Sequence, residues 1–161
     1  MSFVALPPTT SSGEPAPDPA NLITNDGFFP DIDVAHMREI ANISTSISAA
    51  SLRAALIAAM ATVAYDLSAW ATAQQAAGFT TLADVPARQI DGTSLRVQQY
   101  TRAVGLYAKA ELIERLRDFD TTAAGGKDLE PLGETIGDLR RDALHAVRDI
   151  LGRARTAIEL I

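Results

Sequence analysis

The sequence predicts an all-α fold: an antiparallel bundle of about four main helices behind an extended N-terminal arm. Three observations point there. The stretch Ile43–Gly78 spans 36 residues and holds thirteen alanines, two charges (Arg53 and Asp66) and no proline, so it is strongly helix-forming throughout. Two later segments repeat large apolar residues every three or four positions, the period of one helix face. No apolar–polar alternation of strand length stands out anywhere, and no internal repeat is visible.

A chain of 161 residues is long enough for one domain with a sizeable core and short for two. Composition divides it into a proline-rich arm over 1–27 and a single helical domain over 28–161. The net charge of −6 and a pI near 4.8 argue against nucleic acid as the main partner, because neutralising phosphates needs an excess of Lys and Arg. Acidity suits a surface that DNA must pass without sticking. With no cysteine, disulfides, zinc–thiolate sites and cysteine nucleophiles are excluded. The opening MSFVALPP lacks the basic and apolar regions of a secretory signal, so a cytoplasmic origin is the default expectation. AALIAAMATVA, eleven uninterrupted nonpolar or small residues between Arg53 and Asp66, falls short of the roughly twenty that a membrane span needs. No membrane association is expected.

In the arm, prolines stand at 7, 8, 15, 17 and 19 among small polar residues. Proline fixes φ and removes donors, and too few large apolar groups are present to offset the ordering entropy. Its apolar tip, Phe3, Val4 and Leu6, is the one part with something to bury, and an arm that orders against a neighbouring subunit stands beside a plain tail as a reading. FFPDID then brings two anchoring phenylalanines, Phe28 and Phe29, and a choice of N-caps, Asp31 or Asp33, for a short helix over 33–43. Val34, Met37, Ile40 and Ala41 share one side of it.

Thr45, Ser46 and Ser48 are alternative caps for a long helix over 46–77. Leu52, Leu56, Met60, Val63, Leu67 and Trp70 form one continuous stripe along it, and Ala50, Ala54, Ile57, Ala61 and Ala64 form a second, shallower face. A helix apolar on two sides is central in a bundle or covered by another subunit. Gly78 suits the left-handed position that closes such a helix. The connection FTTLADVPARQIDG contains a candidate cap at Thr81, an interruption at Pro86 and a turn at Asp91-Gly92.

A third helix is expected over 94–118, with Val97, Tyr100, Val104 and Tyr107 on one line and Ala103, Leu106, Ala110, Ile113 and Leu116 on another. Glu111 with Arg115, and Glu114 with Arg117, stand at helical pairing distance. After Gly125-Gly126, a last helix is expected over 130–159 on the repeat Ile136, Leu139, Ala143, Val147, Ile150, Ala154 and Ile158. Asp128, Glu130 and Glu134 would favour its positive end.

Candidate chemistry is sparse. His36 and His145 fall on different helices, neither with a metal-binding offset on its own face, and no G-x-S-x-G elbow or strand-led phosphate loop occurs. No catalytic, cofactor or metal residues are assigned. The best polar feature is a basic stripe, Arg141, Arg148 and Arg155, seven apart on one face of the last helix. It is either a solvated face balanced by Asp138, Asp142 and Asp149 or a contact with an acidic neighbour, a second copy included.

Three stretches carry a resemblance: FFPDIDVAHMREIANI with the helix exit LSAWATAQQAAGFTTLADV, then YTRAVGLYAKAELIERLRDFDTT, then LRRDALHAVRDILGRARTAIELI. With MSFVALPP at the start, they resemble the head completion and stabilisation proteins of P2-like tailed phages over most of 28–161. The resemblance implies a non-enzymatic head-to-tail connector in the virion, made in the host bacterial cytoplasm and needing no cofactor. It also implies a twelve-membered ring that joins the portal protein after DNA packaging, keeps the genome in and offers a platform for a tail completion or terminator protein. Packaged DNA would only pass by. On that reading Phe3, Val4 and Leu6 are the candidate portal contact, and Ala50, Ala54, Ile57, Ala61, Arg141, Arg148 and Arg155 the candidate subunit interface. The competing readings are a cytosolic all-helical regulatory or scaffold protein acting as a small homo-oligomer, and an all-helical enzyme built from distant carboxylates and His145.

Overall fold

A computed structural model of the chain describes residues 21–122 and 135–153. Among the described residues are four helices: α1 (Val34–Ile40), α2 (Ala49–Ala76), α3 (Leu95–Thr122) and α4 (Ile136–Ile150). Two short antiparallel sheets accompany them, β1 (Leu22–Ile23) with β2 (Ile32–Asp33) and β3 (Gln89–Ile90) with β4 (Thr93–Ser94). The expectation of a mainly helical chain holds; the two small sheets are a correction to an all-helical reading. Each sheet has two-residue strands, too short for any alternation to register in the sequence.

Helix limits follow from caps. Asp33 caps α1, its side chain accepting from the His36 amide, and Ser48 caps α2 by accepting from the Ser51 amide. Each helix therefore starts later than the sequence spans 33–43 and 46–77 place it, at the first residue after the cap that bonds backward. Three helices stop on the same device. Asn42, Gly78 and Gly152 take φ of 50°, 97° and 67°, and the amides beyond them bond back into the last turn: Ile43 to Arg38, Phe79 to Gln74 and Arg153 to Arg148. Gly78 was legible as such a stop. Asn42 and Gly152 were not, and they end α1 and α4 well short of 43 and 159.

At the other end of α4, Thr135 and Asp138 form a reciprocal capping box. The Thr135 hydroxyl and amide hold the Asp138 carboxyl below the usual Asp range, with Arg141 assisting. The helix thus starts at Ile136, not near 130, because Thr135 is extended. Pro131 and the acidic residues 128, 130 and 134 lie outside the described residues, as does the Gly125-Gly126 joint. α3 continues to Thr122, past the expected 118.

α3 is the central element. α2 packs along one side of it and α4 along another. The Arg96 guanidinium, at the start of α3, lies over the ring of Trp70, near the end of α2, 5.3 Å from the ring centroid. The core between them is the stripe read from the sequence: Leu52, Leu56, Val63 and Leu67 are fully buried against Tyr100, Ala103, Val104 and Ala108. Each such leucine contributes about 1.5–3 kcal/mol through removal from water. Ala143, Val147 and Ile150 of α4 close the third side. Glu114, paired on paper with Arg117, instead reaches Arg140 of α4 at 2.6 Å.

Residues 21–33 form a buckle along α2 and the start of α3, with contacts from Arg53 to Trp70 on α2 and at Tyr100 on α3. Arg53 of α2 donates to the Leu22 carbonyl at 3.1 Å, and Ile23 and Ile32 are buried. Phe29 stacks on Tyr100 at 5.0 Å, while Phe28 meets Phe29 and Trp70 edge-on. Asn25 donates to the Tyr100 hydroxyl at 2.8 Å. Burial pushes that phenol up to about 12. The 79–94 connection adds Leu82 and Val85 to the core, and Asp91 and Gly92, both at positive φ, make the two-residue turn between β3 and β4. By length and composition alone α2 could cross a membrane, yet one whole side of it is packed inside the chain.

Candidate functional site

Three surfaces stand out once the core is accounted for. The first is the outer face of α2. Ala50, Ala54 and Ala61 are exposed, Ile57 is 48% exposed and Tyr65 82%. At 100° per residue these side chains fall within one sector, and Arg53 and Asp66 fall outside it. The result is a ridge about 22 Å long without a charge, since Ala50 and Tyr65 stand fifteen positions apart at 1.5 Å per residue. Sequence reading found the alanines and missed Tyr65, whose bulk at that spacing was the available signal.

The second surface is the outer side of α4. Arg141 is exposed and engaged by Asp138 at 2.8 Å and Asp142 at 3.6 Å. Arg140 is bound by Glu114, so the first turns of the basic stripe are balanced within the chain. Arg148 lines a small cleft with Asp66, Leu144, Leu151 and Arg153. Arg155 lies outside the described residues, and so do Phe3, Val4 and Leu6 of the candidate portal contact.

The third surface, which sequence reading did not anticipate, is a groove of about 800 Å³ between α1 and α3. Val97, Gly105 and Leu106 of α3 form its floor and His36, Met37 and Ile40 of α1 one wall. Ile40, which shares one side of the short helix with the buried Val34 and Met37, is 53% exposed. The two helices touch at Gly105, where an added Cβ would come within 2.9 Å of the Met37 sulfur. Thr101, Arg102 and Lys109 line the remaining side.

Convergent chemistry is not what these surfaces offer. His36 sits on the groove wall and His145 beside Arg102 and Asp142 on α4. Among the described residues no three His, Asp or Glu side chains gather as a metal site would require. These features define a small helical protein that exposes an uncharged face on its α2 helix.

Comparison with known proteins gives the family. Residues 23–161 match the family described as phage head completion protein (GPL), and the chain belongs to it. It is 41% identical over 148 residues to the head completion/stabilization protein of Escherichia phage P2, an alignment covering 90% of this chain and 88% of that protein. It is 28% identical over 143 residues to the probable head completion/stabilization protein of Haemophilus phage HP1 (strain HP1c1), covering 87% and 92%. No solved structure matches the chain. The resemblance read from FFPDIDVAHMREIANI and the two later stretches is thereby established, and with it a structural role in the phage head.

Proposed function

We propose that this chain completes and stabilises the DNA-filled phage head as a ring, of twelve copies, seated on the portal vertex at the head-to-tail junction. It works without catalysis and presents the platform for a tail completion or terminator protein. The observation that carries the ring is the bare ridge of α2. Ala50, Ala54, Ile57, Ala61 and Tyr65 leave an uncharged face without cover among the described residues, next to a tightly packed opposite face. Small residues let a neighbouring backbone approach closely, and the absence of charge removes the desolvation cost of burying it. The basic edge of α4, Arg148 and Arg155 with it, supplies a flanking polar contact to the neighbouring copy. The tip Phe3, Val4 and Leu6 makes the contact with the portal. Net acidity keeps passing DNA from adhering to the inner wall.

Ala61→Arg tests the ridge. Because Ala61 is exposed, the variant should keep its melting temperature within a few degrees while its assembly on DNA-filled heads is lost, and those heads should leak DNA. Normal assembly by the variant would remove the ridge from the interface. Light scattering on the free protein distinguishes the reading from a cytosolic scaffold, for which a stable dimer that ignores portal rings is the signature.

A further inference from the structure

A cyclic ring of more than two copies is built head to tail, so each copy must offer two different surfaces that fit one another. The ridge of α2 is one such surface, and the groove between α1 and α3 has the properties of the other. Six large apolar side chains are exposed among the described residues, and most of them gather on these two faces. Ile57 and Tyr65 stand on the ridge, and Ile40 on the groove wall. Ile90 belongs to the β3–β4 hairpin, where its carbonyl accepts from Gln98 of the groove at 2.6 Å. Leu116 follows Lys109 by seven residues and so continues the same face of α3.

The two faces are placed for a repeating contact. On α2 the ridge lies opposite the stripe of Leu52, Leu56 and Val63 that faces α3. On α3, at about 100° per residue, Arg102, Gly105 and Lys109 lie roughly 150° around from Tyr100, Ala103 and Val104, which face α2. Ridge and groove therefore point away from each other across the molecule. A ridge cannot reach the groove of its own chain, but it can meet that of the next copy. Their lengths agree, about 22 Å from Ala50 to Tyr65 and about 18 Å for the floor from Val97 to Lys109.

Shape and polarity agree as well. The floor is apolar at Val97, Gly105 and Leu106, and the ridge brings small side chains with Ile57 and Tyr65 projecting among them. Among the described residues the ionisable groups lining the groove are His36, Arg102 and Lys109, with no carboxylate. An uncharged ridge can lie beside such groups, and the face of the Tyr65 ring attracts cations. The outer side of α4 is a poorer seat. There Arg140 and Arg141 are tied to Glu114, Asp138 and Asp142, and covering those pairs with an apolar ridge would cost their desolvation.

We infer that the α2 ridge of one copy seats in the α1–α3 groove of the next. The inference rests on the ring proposed for the assembled protein, and it names the surface that the ridge meets there.

Because the chain has no cysteine, single thiols placed on the two faces report their contact in the full-length protein. Ala61→Cys on the ridge and Ile40→Cys on the groove wall both fall at exposed positions. Loaded together on DNA-filled heads made without the native protein, and mildly oxidised, they should give mixed disulfide dimers about tenfold in excess of either homodimer. One chain carrying both thiols should give a ladder of covalent oligomers. An excess of Ala61→Cys homodimers would overturn the seat, because ridges would then face each other. Preferential pairing of Ala61→Cys with Arg141→Cys on α4 would overturn it too, while leaving the ridge inside the ring. A ridge thiol that pairs with none of these would remove both the seat and the ridge from the ring contact. A second measurement does not depend on thiol geometry. Facing a groove lined by cations, Ala61→Glu should be retained on the heads about tenfold better than Ala61→Arg. Equal retention of the two would overturn the seat.

Discussion

The two sides of α2 are made from nearly the same residue types and do opposite things. Toward α3, Leu52, Leu56, Val63 and Leu67 are removed from water and interleave with Ala55 and Ala59. Away from it, Ala50, Ala54, Ile57 and Ala61 remain in contact with solvent, with Tyr65 projecting among them. α4 does not behave this way: Leu139, Ala143, Ala146, Val147 and Ile150 face inward, and Arg140 and Arg141 face out. A solvated face carries charge in this protein, and the outer face of α2 does not. The difference teaches that low charge along α2 has two sides, one that folds the chain and one that is exposed, the face we propose for a neighbouring copy.

Substitutions should separate the two faces by the size of their effect on folding. Leu56→Ala, on the fully buried side, is expected to cost about 2–5 kcal/mol in chemical denaturation, because a cavity is left against α3. Tyr100→Phe should cost about 1–3 kcal/mol, since Asn25 loses the acceptor for its amide within the buckle. The same variant has a pH signature. The Tyr100 phenol is raised from 10.0 to about 12 in the fold, so the unfolded chain loses this proton first, and the stability tied to it is intact below pH 10 and lost as pH rises through about 12. Wild type should therefore weaken between those values more steeply than Tyr100→Phe.

Thr135→Ala should cost about 1 kcal/mol by opening the capping box of α4. It should also flatten the acid limb of the stability curve. The Asp138 carboxyl is depressed below 3.8 in the fold, so its contribution is present above that value and lost as pH falls through the depressed one. Ala54→Ser, on the exposed face, should change stability by less than about 0.5 kcal/mol, and a larger loss would mean that this face is covered within the chain after all.

Much of the fold was legible from spacing. The stripe Leu52 to Trp70, the line Tyr100 and Val104, and the repeat through Leu139, Ala143, Val147 and Ile150 all face the core, because burial of one side imposes the period of the helix on the sequence. Gly78 marked an end for the same local reason, the absence of a Cβ in a left-handed residue. Asn42 and Gly152 were passed over because Ile43 and Ala154 continue the apolar spacing beyond them, and periodicity does not register a chain reversal. The candidate surfaces divide likewise. The alanines at 50, 54 and 61 were found as a face with Ile57 among them, whereas the groove was not, since its floor and wall come from helices some sixty residues apart.

By itself, then, the sequence determined the helical class, the core stripe of each long helix, the family and the lack of charge along α2, since all of these are set by residue type and local period. Tertiary structure alone decided which side of α2 stays bare, that Glu114 pairs with Arg140 across to α4, and that residues 21–33 buckle over Tyr100 through Asn25 and Phe29. Those outcomes depend on which distant segments meet, and a two-residue strand or a single asparagine carries no local signal of the partner it will find.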